Sequence, residues 1–346
     1  MRFLQPGRFR FLLAFLVLLC HTCRFDLGMC AVYLFFVLSG YWIYRMWDEK
    51  YSRTANGIQK FYLSRFWRLF PVFWIANFLS CATAIVLHFP RSFPTTLLAW
   101  LHYAFSNLFI LGYAALPKRE TFLDPPWSLD IEIRFYLVSI FLFYLLRSKR
   151  ERFATLSLIF AAVLGFLSFL LTKHPDNHFY YFGIYFLVGI LAAKCRWTPS
   201  TPIARGIALT ALAIVILAFA FPALRFLVQN DRHGATASQL YSKQVFQAVF
   251  ALLAAPIALF STSVSSDILD RKIGDVTYYL YLIQWPVMAG FFYRFGNLPV
   301  LRRLPFVPVA WILVWLICLV SFRVLDGATP RQKSSVIVPQ PENSLL

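Results

Sequence analysis

Apolar runs of roughly membrane-spanning length, repeated from one end of this chain to the other, constrain it more than any other feature. They lie at 10–24, 29–46, 71–89, 129–146, 153–172, 178–195, 204–222, 243–261, 276–293 and 305–325. Such runs match the roughly 30 Å hydrocarbon core of a bilayer. In lipid the backbone must satisfy its own hydrogen bonds, and a helix does so within one segment. Of 346 residues, 60% are hydrophobic and only 14% charged, whereas a soluble surface draws on roughly a quarter charged residues. The chain reads as an all-α polytopic membrane protein, a bundle of about ten transmembrane helices.

The net charge of +18 does not signal nucleic acid, because the 33 Lys and Arg punctuate the gaps between apolar runs instead of forming one basic face. Those charges orient the chain. The stretch 94–114 is polar for a span, with Pro94, His102, Ser106 and Asn107. If it crossed the membrane, the cluster from Arg147 to Arg152 would lie outside; as an external re-entrant or surface helix it leaves that cluster inside. With ten spans and both termini cytoplasmic, 21 of the 33 Lys and Arg fall on the cytoplasmic side, as the positive-inside rule requires. Met1 to Cys23 resembles a signal peptide, with Arg2, Arg8 and Arg10 ahead of an apolar core. It has no A-x-A site, and Leu19 before Cys20 does not make a lipobox, so it is expected to be an uncleaved first helix. Residues 1–326 form one membrane domain and 327–346, rich in Pro, Ser and Gln, a flexible cytoplasmic tail. The six Cys are scattered and imply neither a disulfide framework nor a metal site. P-loop and dinucleotide fingerprints are missing.

Ionisable groups inside spans are costly and usually face a cavity. Arg10 and His21 are eleven residues apart, which puts them on one face of the first helix about 16 Å apart along its axis. That spacing suits a thin ligand with phosphates at one end and a reactive group at the other; it equally suits a snorkelling Arg and an interface His. Arg65 and Arg68, three apart just before the third span, pair guanidinium groups for a phosphate or anchor lipid headgroups. Pro126 to Tyr136 opens a span descending from the outside and carries Asp130, Glu132 and Arg134. Glu132 is expected near the depth of His21, where a carboxylate would orient the ring and stabilise imidazolium; alternatively Glu132 and Arg134 neutralise other buried charges. The remaining His, at 88, 102, 174, 178 and 233, fall in or beside loops.

In order, these residues resemble the acyltransferase family 3 membrane fold, polytopic O-acyltransferases that modify surface glycans. The family's Arg-x10-His is Arg10 and His21. Its Phe-Phe-Val-x-Ser-Gly-Tyr motif is Phe35 to Tyr41, with Ser39 and Gly40. Its Arg-x-x-Arg-Leu-x-Pro is Arg65 to Pro71, and its Trp-Ser-Leu-x-x-Glu-x-x-Phe-Tyr is Trp127 to Tyr136. The segment Ile273 to Pro286 resembles its last motif. Three positions depart from the pattern: Gln284 stands where a second His is frequent, Ala31 where Gly often precedes the Phe-Phe motif, and Asp326 in place of a terminal Glu.

The resemblance implies an acyl-CoA donor, usually acetyl-CoA, used as substrate with no permanently bound cofactor. It implies a carbohydrate hydroxyl as acceptor and the bacterial inner membrane as location. Arg10, Arg65 and Arg68 would hold the donor and His21 with Glu132 would act as catalytic residues. Ser39, Trp127, Ser128, Tyr136 and Gln284 would line the cavity or contact the acceptor. No SGNH-type esterase domain follows the last span, so the acyl handoff is expected within the bundle or to a separate partner, such as another envelope biosynthesis protein. A transporter or flippase of a lipid-linked glycan or acyl donor is the alternative, since charges along a bundle interior serve it equally well, and a non-catalytic scaffold is a third.

Overall fold

The computed structural model describes residues 4–23, 25–89, 93–117, 121–172, 179–229, 235–296, 302 and 304–328; His174, His178, His233 and the tail beyond 328 lie outside these. The described residues form α1 (Pro6–Thr22), α2 (Gly28–Glu49), α3 (Gly57–Val86), α4 (Leu97–Phe109) and α5 (Pro126–Leu145). They continue as α6 (Glu151–Leu171), α7 (Gly183–Lys194), α8 (Thr201–Ala220), α9 (Ala237–Ser261), α10 (Ile268–Phe295) and α11 (Val307–Ala328). Extended pairing among them is limited to an isolated bridge between Phe25 and Gln229. The protein is a polytopic membrane bundle.

Six helices, namely α2, α3, α6, α8, α9 and α11, are long and apolar enough to cross a membrane. Of the charges singled out above, Arg10 and His21 lie on α1, Arg65 and Arg68 on α3, and Asp130, Glu132 and Arg134 on α5. α1 and α10 pack along each other, α10 also packs on α3 and α11, and α2 packs on α1, α5, α7 and α9. The apolar α6 and α8 expose most of their surface, as Phe153, Leu156, Phe160, Leu209 and Leu212 show. α6 packs on α7 and α8 on α9, which leaves their remaining apolar faces for lipid.

Ion pairs tie the helix ends. At one end Asp270 of α10 accepts the N–H groups of Gly7 (3.1 Å) and Arg8 (2.8 Å), satisfying orphan donors at the start of α1. At the same end Arg147 pairs with Asp48, and Lys194 with Glu151. At the opposite end Lys243 pairs with Asp26, and Gln247 bridges the Cys30 N–H and the Asp26 carbonyl.

Helix boundaries differ from the apolar runs where charge interrupts them. The third run was expected to begin at 71, yet α3 begins at Gly57 and passes through Arg65, Arg68 and Pro71 without a break. Both arginines therefore lie within the helix, not just before it. The stretch 94–114 contains α4, whose 13 residues reach only about 20 Å. It descends along α3, where Trp74 Nε1 donates to the Leu108 carbonyl (2.9 Å) and Asn77 Nδ2 to Asn107 Oδ1 (3.2 Å). A tight turn through Gly112, at φ +86°, then delivers the Gly112 and Ala114 N–H groups, each at 3.0 Å, to the buried carboxylate of Asp130. Arg134 Nε bonds the same carboxylate at 2.8 Å.

Glycine sets the α2–α7 contact. A Cβ at Gly40 would overlap the Phe186 carbonyl, and one at Gly189 would overlap the Val37 carbonyl. Gly189→Ala should therefore lower the thermal unfolding midpoint in detergent through overpacking of about 1–3 kcal/mol. Gly206→Ala in α8, where an added Cβ meets nothing, is the control. An unchanged midpoint for Gly189→Ala would show that the two helices have room to part.

Candidate functional site

Two cavities share a wall inside the bundle. The first lies between α1, α2, α3, α5 and α10; the second and roomier one lies between α1, α3, α10 and α11. Arg10, Arg68, Gly274 and Tyr278 line both and form the boundary between them, a constriction walled by two arginines. On α2 the lining of the first cavity runs from Val32 to Ile43, a length of about 16 Å. Val32, Phe35, Phe36 and Leu129 make much of its wall apolar, while Ser39, Ser128, Glu132, Thr277 and Tyr281 add polar groups. The second is walled by Trp67, Pro71, Asp275, Tyr279, Phe322 and Leu325.

Two guanidinium groups stand at the constriction. Arg10 lies 5.6 Å from the centre of the Trp42 ring, a cation–π contact. Among the described residues neither Arg10 nor Arg68 has a hydrogen bond or an ion pair, although Glu132, Tyr136 and Asp275 lie in electrostatic range of both. Arg68 is exposed, and it lines both cavities. Arg10 and Arg68 give the constriction two guanidinium groups that can hold an anion, with Glu132 and Asp275 the carboxylates in range of them.

Arg65 does not join them as a cavity-lining pair. It is only 5% exposed, with Nη2 against Met46 Sδ (3.5 Å) and Ser64 Oγ (3.2 Å) and its head over Phe61. Its Nε and Nη1 have no hydrogen-bond partner among the described residues. A three-residue step turns a helix by 300°, a 60° difference in direction. Here that is enough to send one guanidinium into packing and the other into open space.

Glu132 is the carboxylate of the first cavity. Its Oε1 accepts the hydroxyls of Ser39 (2.6 Å) and Tyr136. Ser128 Oγ lies 2.6 Å from the Tyr281 hydroxyl and donates to the Pro125 carbonyl (3.0 Å). His21 is not among the residues lining either cavity; its ring meets Trp285 edge-on, with centroids 5.3 Å apart. Glu132 shares its wall with Thr277 and Tyr278, and Trp285 lies seven residues further along α10, about 10 Å. The structure thus sets His21 and Glu132 at different depths. The reason is where α5 begins: Ser128, near its start, already meets Tyr281, one turn before Trp285 on α10, and Glu132 lies a further turn along α5. Two other carboxylates, Asp26 and Asp130, are engaged, Asp26 with Lys243 and Asp130 with Arg134 and two N–H groups. Trp127 packs on Phe182 at 6.0 Å. Gln284 is fully buried; its Nε2 donates to the Tyr281 carbonyl (3.1 Å), and its Oε1 has no partner among the described residues.

Sequence reasoning missed Trp42, Thr277, Tyr278 and Tyr281. A signal existed for the last three: Gly274, Thr277, Tyr278 and Tyr281 recur at helical spacing on one face of a motif, three residues below Gln284. In a chain that is 19% aromatic it did not stand out.

The family described as an acyltransferase domain matches residues 8–324. The chain is 27% identical over 334 residues to the O-acetyltransferase OatA of Staphylococcus aureus strains NCTC 8325 / PS 47 and COL, covering 88% of this chain and 53% of the relative. It therefore spans about half the length of the curated relatives it matches. No solved structure matches significantly.

The unpartnered nitrogens of Arg65 generate a stability prediction. An unsatisfied buried polar group costs about 1–3 kcal/mol, so Arg65→Met should leave the ligand-free protein as stable as the parent or more so in a detergent unfolding assay. A large drop in midpoint would show that Arg65 is a structural anchor.

Proposed function

This chain belongs to the acyltransferase domain family, and from that premise we propose that it is an integral-membrane O-acyltransferase. It moves an acyl group, acetyl in the first instance, from cytoplasmic acyl-CoA to a hydroxyl of a surface or exported carbohydrate. The observation that carries this reading is the constriction itself: two guanidinium groups without ion pairs among the described residues, beside a carboxylate, on the boundary that two cavities share. The donor's phosphates sit at Arg10 and Arg68, and its thin arm runs up the first cavity past Glu132. Arg65 supports that wall from behind. An alcohol must lose its proton as it attacks a thioester, and Glu132 is the base within reach of the arm. His21, near the outer end with Trp285 and Gln284, holds the acceptor as it approaches from the other face, while Trp127, Ser128 and Tyr136 shape the passage between them.

This reading needs sides. In the proposal the bundle makes ten crossings, with α4 re-entrant. The end holding Arg8, Arg147, Lys149, Arg150, Arg152, Lys194, Arg271 and Lys272 faces the cytoplasm, in a bacterial inner membrane. A single Cys at position 150 should react with a membrane-impermeant thiol reagent only after permeabilisation, and one at position 225 without it. External reaction at 150 would invert the topology.

Donor binding is measurable on purified protein. Arg68→Ala and Arg10→Ala should each weaken acetyl-CoA binding by about 10- to 150-fold, as expected for a charged contact worth about 1.5–3 kcal/mol. Glu132→Gln should leave that affinity nearly intact while surface glycans lose their acyl groups with normal glycan export. Unchanged donor affinity in both arginine variants would sink the donor assignment.

A further inference from the structure

Hydroxyls inside helices usually return their proton to a carbonyl three or four residues back. Thr22, Thr83, Ser139, Thr172 and Thr277 all do so here. Ser39 does not. It donates to Glu132 Oε1 across to another helix, at 2.6 Å, the distance from which a general base takes a proton. Ser39 and Glu132 are both half-buried between buried neighbours, Leu38 and Gly40 on one helix, Ile131 and Ile133 on the other. Both line the first cavity, so their open surface is the cavity itself. The backbone at Ser39 has little freedom, because Gly40 presses on the Phe186 carbonyl. Tyr136 donates to the same oxygen but does not line the cavity, so of the two hydroxyls on Glu132 it is that of Ser39 that can meet a bound donor.

We propose that Ser39 is a covalent acyl carrier, the stopping point between donor and acceptor; this deepens, and rests on, the acyl-CoA reading above. In the first half, Ser39 Oγ gives its proton to Glu132 and bonds the thioester carbonyl carbon. The tetrahedral oxyanion collapses, the carbon–sulfur bond breaks, and CoA leaves as a thiol with the proton from Glu132. In the second half, the acceptor hydroxyl gives its proton to Glu132 as its oxygen bonds the acyl carbon. The acyl–Oγ bond breaks, and Oγ recovers the proton. No oxidant, reductant or further reactant is needed. Splitting the transfer lets CoA withdraw to one side before the acceptor enters from the other, so one narrow cavity serves two substrates in turn.

Purified protein given acetyl-labelled acetyl-CoA without acceptor should release up to one equivalent of CoA. The label should appear on the peptide containing Ser39 by mass spectrometry. Ser39→Ala should lose label and release by about 100-fold or more, the scale of a lost acid–base-assisted step, while still binding acetyl-CoA. The Ser39→Cys variant should keep the label as a thioester that neutral hydroxylamine removes. Label on another residue, or cells carrying Ser39→Ala that still acetylate their glycan, would overturn the acyl-serine alone. A wild-type protein that bound no acetyl-CoA would sink the donor reading and the acyl-serine with it.

Discussion

Charge placed inside hydrocarbon is the constraint on which the rest of this bundle depends. An ionised side chain there persists only where protein groups or a water-filled space replace its hydration. Glu132 draws on two hydroxyls, those of Ser39 and Tyr136, and on the nearby field of Arg10 and Arg68. The arginines draw on the open volume at the constriction and, for Arg10, on the face of Trp42. No single helix supplies these groups; they come from α1, α2, α3 and α5, with α10 closing the wall. The layering follows: helices carrying charge gather inside, and the uninterrupted apolar α6 and α8 are left to meet lipid.

The same constraint separates structure from chemistry within one turn of α5. Asp130 and Glu132 are two residues apart, so their side chains leave the helix about 160° apart. Asp130 faces the turn that follows α4 and is saturated by Arg134, Gly112 and Ala114. A carboxylate so fully occupied is a latch. Glu132 faces the cavity, with hydroxyls of Ser39 and Tyr136 sharing Oε1 and no hydrogen bond to Oε2 among the described residues. Saturation, and not burial alone, distinguishes the two.

Much of the fold was legible because hydropathy reports burial in lipid directly, and the observed helices follow the apolar runs. The charged residues of interest were legible too, being anomalous in those runs; Arg10, Glu132 and Arg68 were named from sequence and meet at one place. What could not be read was depth. Counting residues from the start of α5 places Glu132 level with His21, but that count assumes that α5 starts level with the end of α1, and the Ser128–Tyr281 contact sets its first turn below Trp285. Nor could the pattern Arg65-x-x-Arg68 show that a 60° difference in direction decides between packing against Met46 and facing a cavity. Such distinctions depend on neighbours from distant parts of the chain.

Glycine positions account for how side chains on separate helices hold a register of a few tenths of an ångström. At the constriction a Cβ on Gly274 would sit 3.1 Å from the Gly7 Cα, and one on Gly7 would overlap the Asp270 carbonyl. α1 therefore lies against α10 as closely as backbone allows, and Arg10, one turn beyond Gly7, is carried to the cavity mouth. Across the cavity, Gly40 and Gly189 bring α2 against α7 in the same way, and Ser39 is the residue beside that contact. Lipid offers no hydrophobic drive between helices, so close backbone packing of this kind is what locks one helix against another. Each half of the site sits next to such a lock. In this bundle the glycines that look like structural filler in the motifs are what fix the geometry of the residues that look chemical.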